Sequence, residues 1–158
     1  MAKKYEITNE YKIVDGVKVY RIKALKDFNT DFHKVCKGDF GGFVEKEENL
    51  SQDGKAWIDD NAIVKDNAFV VGDAWIDDNA LISGNAVVVG KAVVSDNAVV
   101  RGNAVIIEKA VVSDNALVEG YAIVEDKAWI RGYTWIKYKT VIRGDAFVMS
   151  RTDVKSLV

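Results

Sequence analysis

The sequence predicts an all-β protein: a parallel β-helix of 18 residues per coil, about 5–6 coils long, closed at its N-terminal end by a β-hairpin cap. Three observations predict it. Residues 54–149 divide into sixteen consecutive six-residue units with no insertion or deletion, beginning GKAWID, DNAIVK, DNAFVV. Longer strings return at a spacing of 18, AWIDDNA at 56–62 and 74–80, and KAVVSDNA at 91–98 and 109–116. Ahead of the repeats, Asp15-Gly16 separates two runs rich in β-formers. A fixed period decides architecture before residue propensities do.

The unit explains itself place by place. Place three is Ala fourteen times and Thr twice, at Thr134 and Thr140, and place five is always Val or Ile. Side chains alternate along a strand, so places three and five share one face and point into a narrow core. Place four, also apolar, then points outward. Places one and two are mostly Gly, Asp, Asn, Lys or Tyr, which supply the chemistry of a sharp corner. Three units make one coil of a triangular prism. Stacked at ~4.8 Å per coil, the repeats build a rod of roughly 25 Å. Thr152 and Val154 keep places three and five, so the last coil is expected to continue past 149.

Residues 1–53 are read as the hairpin and capping segment, and 54–158 as the β-helix. Asp15-Gly16 suits the positive φ angles of a type I′ turn. A polar connection over 26–37 holds the single histidine, His33, and the single cysteine, Cys36. In GDFGGFVEKEENLS, the glycines suggest sharp bends and Phe40, Phe43, Val44 and Leu50 are expected to plug the core. Extending the frame backwards puts Val44 and Leu50 at place three. A solenoid needs such a cap, because an open end exposes strand edges and apolar core.

Composition narrows the function classes. A formal net charge of −2 gives no global attraction to nucleic acid or membrane. One cysteine excludes an internal disulfide and fits a reducing compartment. The opening MAKKYEITNE lacks the apolar stretch of a signal peptide, and no run approaches the ~18 apolar residues needed to span a bilayer. A cytoplasmic protein without membrane contact is the expectation.

The units resemble the hexapeptide-repeat family, whose aliphatic-x-x-x-small spacing is met here by Val64 and Ala68. That resemblance implies a left-handed parallel β-helix, an exception to the usual right-handed crossover. The opening region, with KYEIT, the DG turn, YRIKALKDF and GDFGGFVEKEENLS, is similar to phage and prophage hexapeptide-repeat proteins of unassigned role.

Coil bookkeeping divides the exterior into unlike walls. One wall carries Trp57, Trp75, Val93, Val111, Trp129 and Phe147 at place four, with Val71, Val89 and Ile107 along the adjoining corner. An apolar patch this large is expected to be an oligomer or partner surface. One corner stacks Asp60, Asp78, Asp96 and Asp114, each followed by Asn, which reads as corner chemistry before it reads as a cation ladder. Residues 54–126 hold five Lys/Arg against twelve Asp/Glu, a net of −7, whereas 127–158 hold seven against two, a net of +5. Antiparallel pairing would match these halves, so a two-fold dimer is favoured over a trimer. The basic end interleaves Lys127, Arg131, Lys137, Lys139 and Arg143 with Tyr133, Trp135 and Tyr138. Such a mixture suits a protein hot spot, and it also suits RNA or single-stranded nucleic acid.

Hexapeptide-repeat acyltransferases place a histidine near the coils, and the family's zinc carbonic anhydrases need several. These coils contain no histidine and no inserted loop. No metal site, cofactor or catalytic residue is therefore expected. His33 could serve a reaction only if the N-terminal segment folded back along a wall, and it is read as a solvated loop residue, with Cys36 a semi-buried inert thiol. The expected function is a non-catalytic protein-interaction module, phage or prophage encoded, whose partner is a host protein; inhibition of a host defence effector such as a CRISPR nuclease is the specific form considered. The alternatives are an acyltransferase-like enzyme with an unusual active site, and nucleic-acid binding through the basic aromatic end.

Overall fold

A computed structural model describes residues 2–150 and 153–154 of the chain. Every coil strand pairs in parallel with the strand 18 residues on, as in Trp57 with Trp75, Ile63 with Leu81, and Phe69 with Val87. The result is a β-solenoid of about six coils with three walls. The first wall is a six-stranded sheet through Trp57, Trp75, Val93, Val111, Trp129 and Phe147, and the third a five-stranded sheet through Phe69, Val87, Val105, Ile123 and Val141. Places three and five fill the interior: Ala62, Val64, Ala80, Ile82, Ala98 and Val100 are all 0% exposed. The two threonines at place three are buried too, and each hydroxyl donates to the carbonyl three residues back, Thr134 to Arg131 and Thr140 to Lys137, both at 2.7 Å. The last coil does continue, with Val154 paired to Ile136; Thr152 lies outside the described residues.

The corners explain place one. All sixteen place-one residues have a left-handed backbone, with φ between +52° and +77°. Gly adopts this freely, and Asp at modest cost. Asp brings a second benefit. Along a corner, the place-two N–H donates to the place-one carbonyl of the next coil, as Asn79 to Asp96 at 2.8 Å. The place-one N–H is left over, and the carboxylate one coil earlier accepts it: Asp96 N–H to Asp78 Oδ2 at 3.3 Å, Asp114 to Asp96 at 3.0 Å, Gly132 to Asp114 at 3.0 Å. The acidic column thus stitches coil to coil.

The N-terminal strands β1 (Tyr5–Val14) and β2 (Val17–Ala24) form the expected hairpin, and Asp15 and Gly16 take φ of +51° and +79°. Two short strands, β3 (Phe28–Asn29) and β4 (Lys34–Val35), form a second small hairpin. Strand β5 (Phe40–Val44) runs antiparallel to β2 and parallel to the Ile63 strand, so the hairpin prolongs the second wall into a nine-stranded sheet.

Three expectations change here. Val44 pairs with Val64, and Leu50 with Val70, so both occupy place five rather than place three. Two extra residues are absorbed in the irregular stretch Ser51–Lys55, ahead of the first regular coil. Phe43, Val44 and Leu50 are buried, but Phe40 is 55% exposed. Gly41 and Gly42 lie in an extended strand rather than at bends: a Cβ at either would sit 2.5 Å from the carbonyl oxygen of Ile58 or Ala62, so they are small because the first coil passes too close for a side chain.

The cap is chemical as well as steric. In the coils, each place-three carbonyl accepts an N–H from the coil before it, and the first coil has no predecessor. Three different donors substitute. Lys4 Nζ reaches Ala56 O at 2.6 Å, Phe43 N–H reaches Ala62 O at 2.9 Å, and Asn49 Nδ2 reaches Ala68 O at 2.9 Å. Lys4 and Asn49 are fully buried. Burial lowers the Lys4 ammonium to about 8. Tyr5 completes the closure, its hydroxyl donating to Leu50 O at 2.6 Å. Among the described residues, no helix is long and apolar enough to cross a membrane.

Candidate interaction surface

The first wall divides into a covered end and an open end. Residues 26–37 fold back over its first two coils as a strap built on β3 and β4. Phe28 meets Trp57 edge-on at 5.4 Å, and Tyr5 meets the same indole at 6.5 Å. At the strap tip, Phe32 and His33 lie against Trp75 at 5.2 and 4.9 Å. Trp57 is 1% and Trp75 4% exposed. This corrects the expectation that the whole wall is free for a partner: both residues point outward from the prism, and the chain's own strap occupies the space outside.

Beyond the strap the wall is uncovered by any described residue. Val93 and Val111 are half-buried in the sheet surface, Trp129 is 39% exposed and Phe147 56%. Trp129 and Phe147 stack edge-to-face at 5.4 Å, and Met149 stands exposed beside them. Val71, Val89 and Ile107 line the adjoining corner, half-buried. The open surface is therefore the C-terminal part of the predicted patch.

The basic aromatic run does not form one face. Residues 127–143 nearly equal one coil in length, so they circle the rod. Arg131 and Tyr133 stand at the corner between the Trp129 and Trp135 walls, Lys137, Tyr138 and Lys139 at the next, and Lys127 and Arg143 at the third. Several of the cations are held locally. Arg131 lies over Trp129 at 5.1 Å and bonds Asp114 at 2.9 Å, while Lys137 lies over Trp135 at 4.0 Å. The Trp135 indole N–H donates to Glu119 Oε1 at 2.8 Å. The Gly132 N–H, helped by Arg131, holds the Asp114 carboxyl below its ordinary range.

The strap brings together residues that sequence reasoning kept apart. His33 Nε2 lies 3.3 Å from Asp59 Oδ2, and Nδ1 lies 3.0 Å from the Lys34 carbonyl. These acceptors raise the affinity of the ring for its second proton. His33 is exposed, as expected, but it is not a free loop residue. Cys36 is exposed rather than semi-buried. Beside Asp59, the carboxylates of Asp60, Asp77 and Asp78 converge within 4.8 Å. Burial, reinforced by Asp78, Asp60 and Asp59, pushes Asp77 up to about 6 against a hydrogen bond from Trp75. Asp77 Oδ1 is buried without a partner.

Asp59 was missed as the neighbour of His33, yet a signal was present. Trp-Ile-Asp-Asp occurs only at 57–60 and 75–78, the two coils that the strap covers, whereas Trp129 is followed by Ile-Arg-Gly. The chain matches no protein-family model and no curated protein.

Proposed function

We propose that this chain is a non-catalytic interaction module that presents the open end of its first wall to a protein partner. The observation that carries the reading is the Trp129–Phe147 pair, an exposed aromatic stack on a rigid sheet, continuous with Val93 and Val111 and flanked by Arg131. Aromatic and arginine side chains in such a setting are the usual anchors of protein interfaces. Stacked coils hold their backbone in place before binding, which lowers the entropic cost of association. The resemblance of the N-terminal third to phage and prophage proteins supports a phage or prophage origin and a host partner, with inhibition of a defence effector such as a CRISPR nuclease as one specific form of the reading. The opposite charges of the two halves of the rod favour an antiparallel two-fold dimer as its resting form.

The test is capture of the host effector by immobilised protein. Trp129→Ala combined with Phe147→Asp is expected to abolish capture while circular dichroism stays unchanged, and light scattering of the unliganded wild type is expected to give a dimer mass. Undiminished capture by the double variant would sink the assignment of the surface.

One observation favours a second reading. The N-terminal segment does fold back along a wall, and it sets His33 beside Asp59, the pairing that an acyltransferase-like site would need. Against it, both ring nitrogens already face acceptors, which leaves no lone pair to take a substrate proton. Donor-dependent turnover with acyl-CoA that is lost in His33→Ala would favour the enzyme.

A further inference from the structure

His33 is placed between two acceptors. The Lys34 carbonyl faces Nδ1 at 3.0 Å and the Asp59 carboxylate faces Nε2 at 3.3 Å. A neutral imidazole has one N–H and one lone pair, so either tautomer would set a lone pair against an oxygen. Imidazolium donates to both. The geometry is therefore complementary to the charged ring alone, and that ring sits on Trp75 at the very tip of the strap.

The two ends of the strap are held differently. Its base is anchored by apolar burial, with Val35 1% exposed and Phe28 against Trp57, and by the backbone bonds of Leu25 to Lys4 and Ala24 to Asp39, both 2.8 Å. Its tip makes a tight local turn, in which Thr30 Oγ1 accepts from the N–H groups of Phe32 and His33. Phe32 is 57% exposed even while touching Trp75, so its contact alone is a weak clamp. The contact between tip and coil that depends on charge is His33 with Asp59.

We propose that residues 30–34 form a proton-operated cover over Trp75, pinned to the first coil while His33 is charged and lifting when His33 loses its proton. Lifting leaves Phe28 on Trp57 and adds the Trp75 indole to the open end of the wall, so the apolar surface offered to a partner lengthens by one coil. The groups facing the latch act in one direction. From the strap, Asp39 favours the charged ring, and Lys34, the other nearby cation, turns toward Asp27 at 3.7 Å. From the coils, Asp59 acts in the same direction. His33 binds its second proton more tightly folded than unfolded, so its contribution is complete below the ordinary histidine range and is lost as pH rises through the raised value. At higher pH a neutral ring is left with its lone pair against the Lys34 carbonyl or the Asp59 carboxylate.

The indole N–H signals of the full chain test this by NMR, with Trp75 assigned from Trp75→Phe. A soluble paramagnetic chelate reports exposure without itself titrating. Between about pH 5.5 and about pH 8.5, a window that brackets histidine ionisation, broadening of the Trp75 signal is expected to rise several-fold while Trp57 stays shielded. Its midpoint should coincide with the His33 ring titration in the same samples. His33→Ala is expected to leave Trp75 exposed at both pH values, and His33→Lys, a permanent cation within reach of Asp59, to keep it shielded at both. A Trp75 signal that does not respond to pH in the wild type, or a wild-type response in His33→Ala with circular dichroism intact, overturns the cover.

Discussion

Trp57 and Trp129 occupy the same place of the same repeat on the same wall, four coils apart, and their environments are opposite. Trp57 is enclosed by Phe28 and Tyr5, whereas Trp129 is 39% exposed against Phe147. The repeat dictates only the direction in which a side chain leaves the prism. Whether that direction leads to water is decided by chain from outside the repeat. The covered end is thus part of the core, and the open end is surface available for recognition.

Substitutions can break this comparison at either end. The largest effect is expected from Trp57→Ala, which removes a fully buried indole from a packed site and should cost about 3–5 kcal/mol in urea denaturation. Trp129→Ala, at a partly exposed site, loses the edge-to-face contact with Phe147, the Arg131 contact and the indole bond to Ser113 Oγ, and should cost about 1–2 kcal/mol. Equal costs would mean that the open end is covered in solution. Next comes the cap: Lys4→Met leaves the Ala56 carbonyl buried without a donor and should cost about 2 kcal/mol, with strand content retained. The smallest effect is the pH response of the covered end. Asp77 binds its proton more tightly in the folded state, so the stability it contributes is complete below the ordinary carboxylate range and is lost as pH rises through about 6. Because Asp77 is only half-buried, the change is about 1 kcal/mol after solvent screening. Denaturation midpoints at acid and neutral pH should therefore converge in Asp77→Asn relative to the wild type.

Much of the fold was legible because the repeat is strict. AWIDDNA recurring after 18 residues places Trp57 beside Trp75, and Ala at place three with Val or Ile at place five identifies the interior. Asp15-Gly16 was legible because few residue pairs accept two successive positive φ angles. The register of Val44 was not, since a corner absorbs two extra residues at Ser51–Lys55 without disturbing the strands on either side. The strap was not legible either. Residues 26–37 carry no period, and their docking depends on contacts such as His33 to Asp59 that no local pattern encodes. The basic run misled for a different reason: adjacency in sequence means adjacency on one face only when a segment is short relative to the coil, and 127–143 is not.

The closing of the first coil by Lys4, Phe43 and Asn49 has a consequence for assembly. Stacked parallel strands are templates, and a rod with both ends unsatisfied could add copies head to tail without limit. Here the three place-three carbonyls that a preceding coil would engage are already occupied by an ammonium, a backbone amide and a carboxamide of the same chain. Coil-on-coil growth at those three positions is thereby blocked within the chain. A head-to-tail contact requires two unlike free ends, and at this end the first coil offers its place-three carbonyls to no second copy; the edge left at the second wall is the hairpin strand β1 rather than a coil.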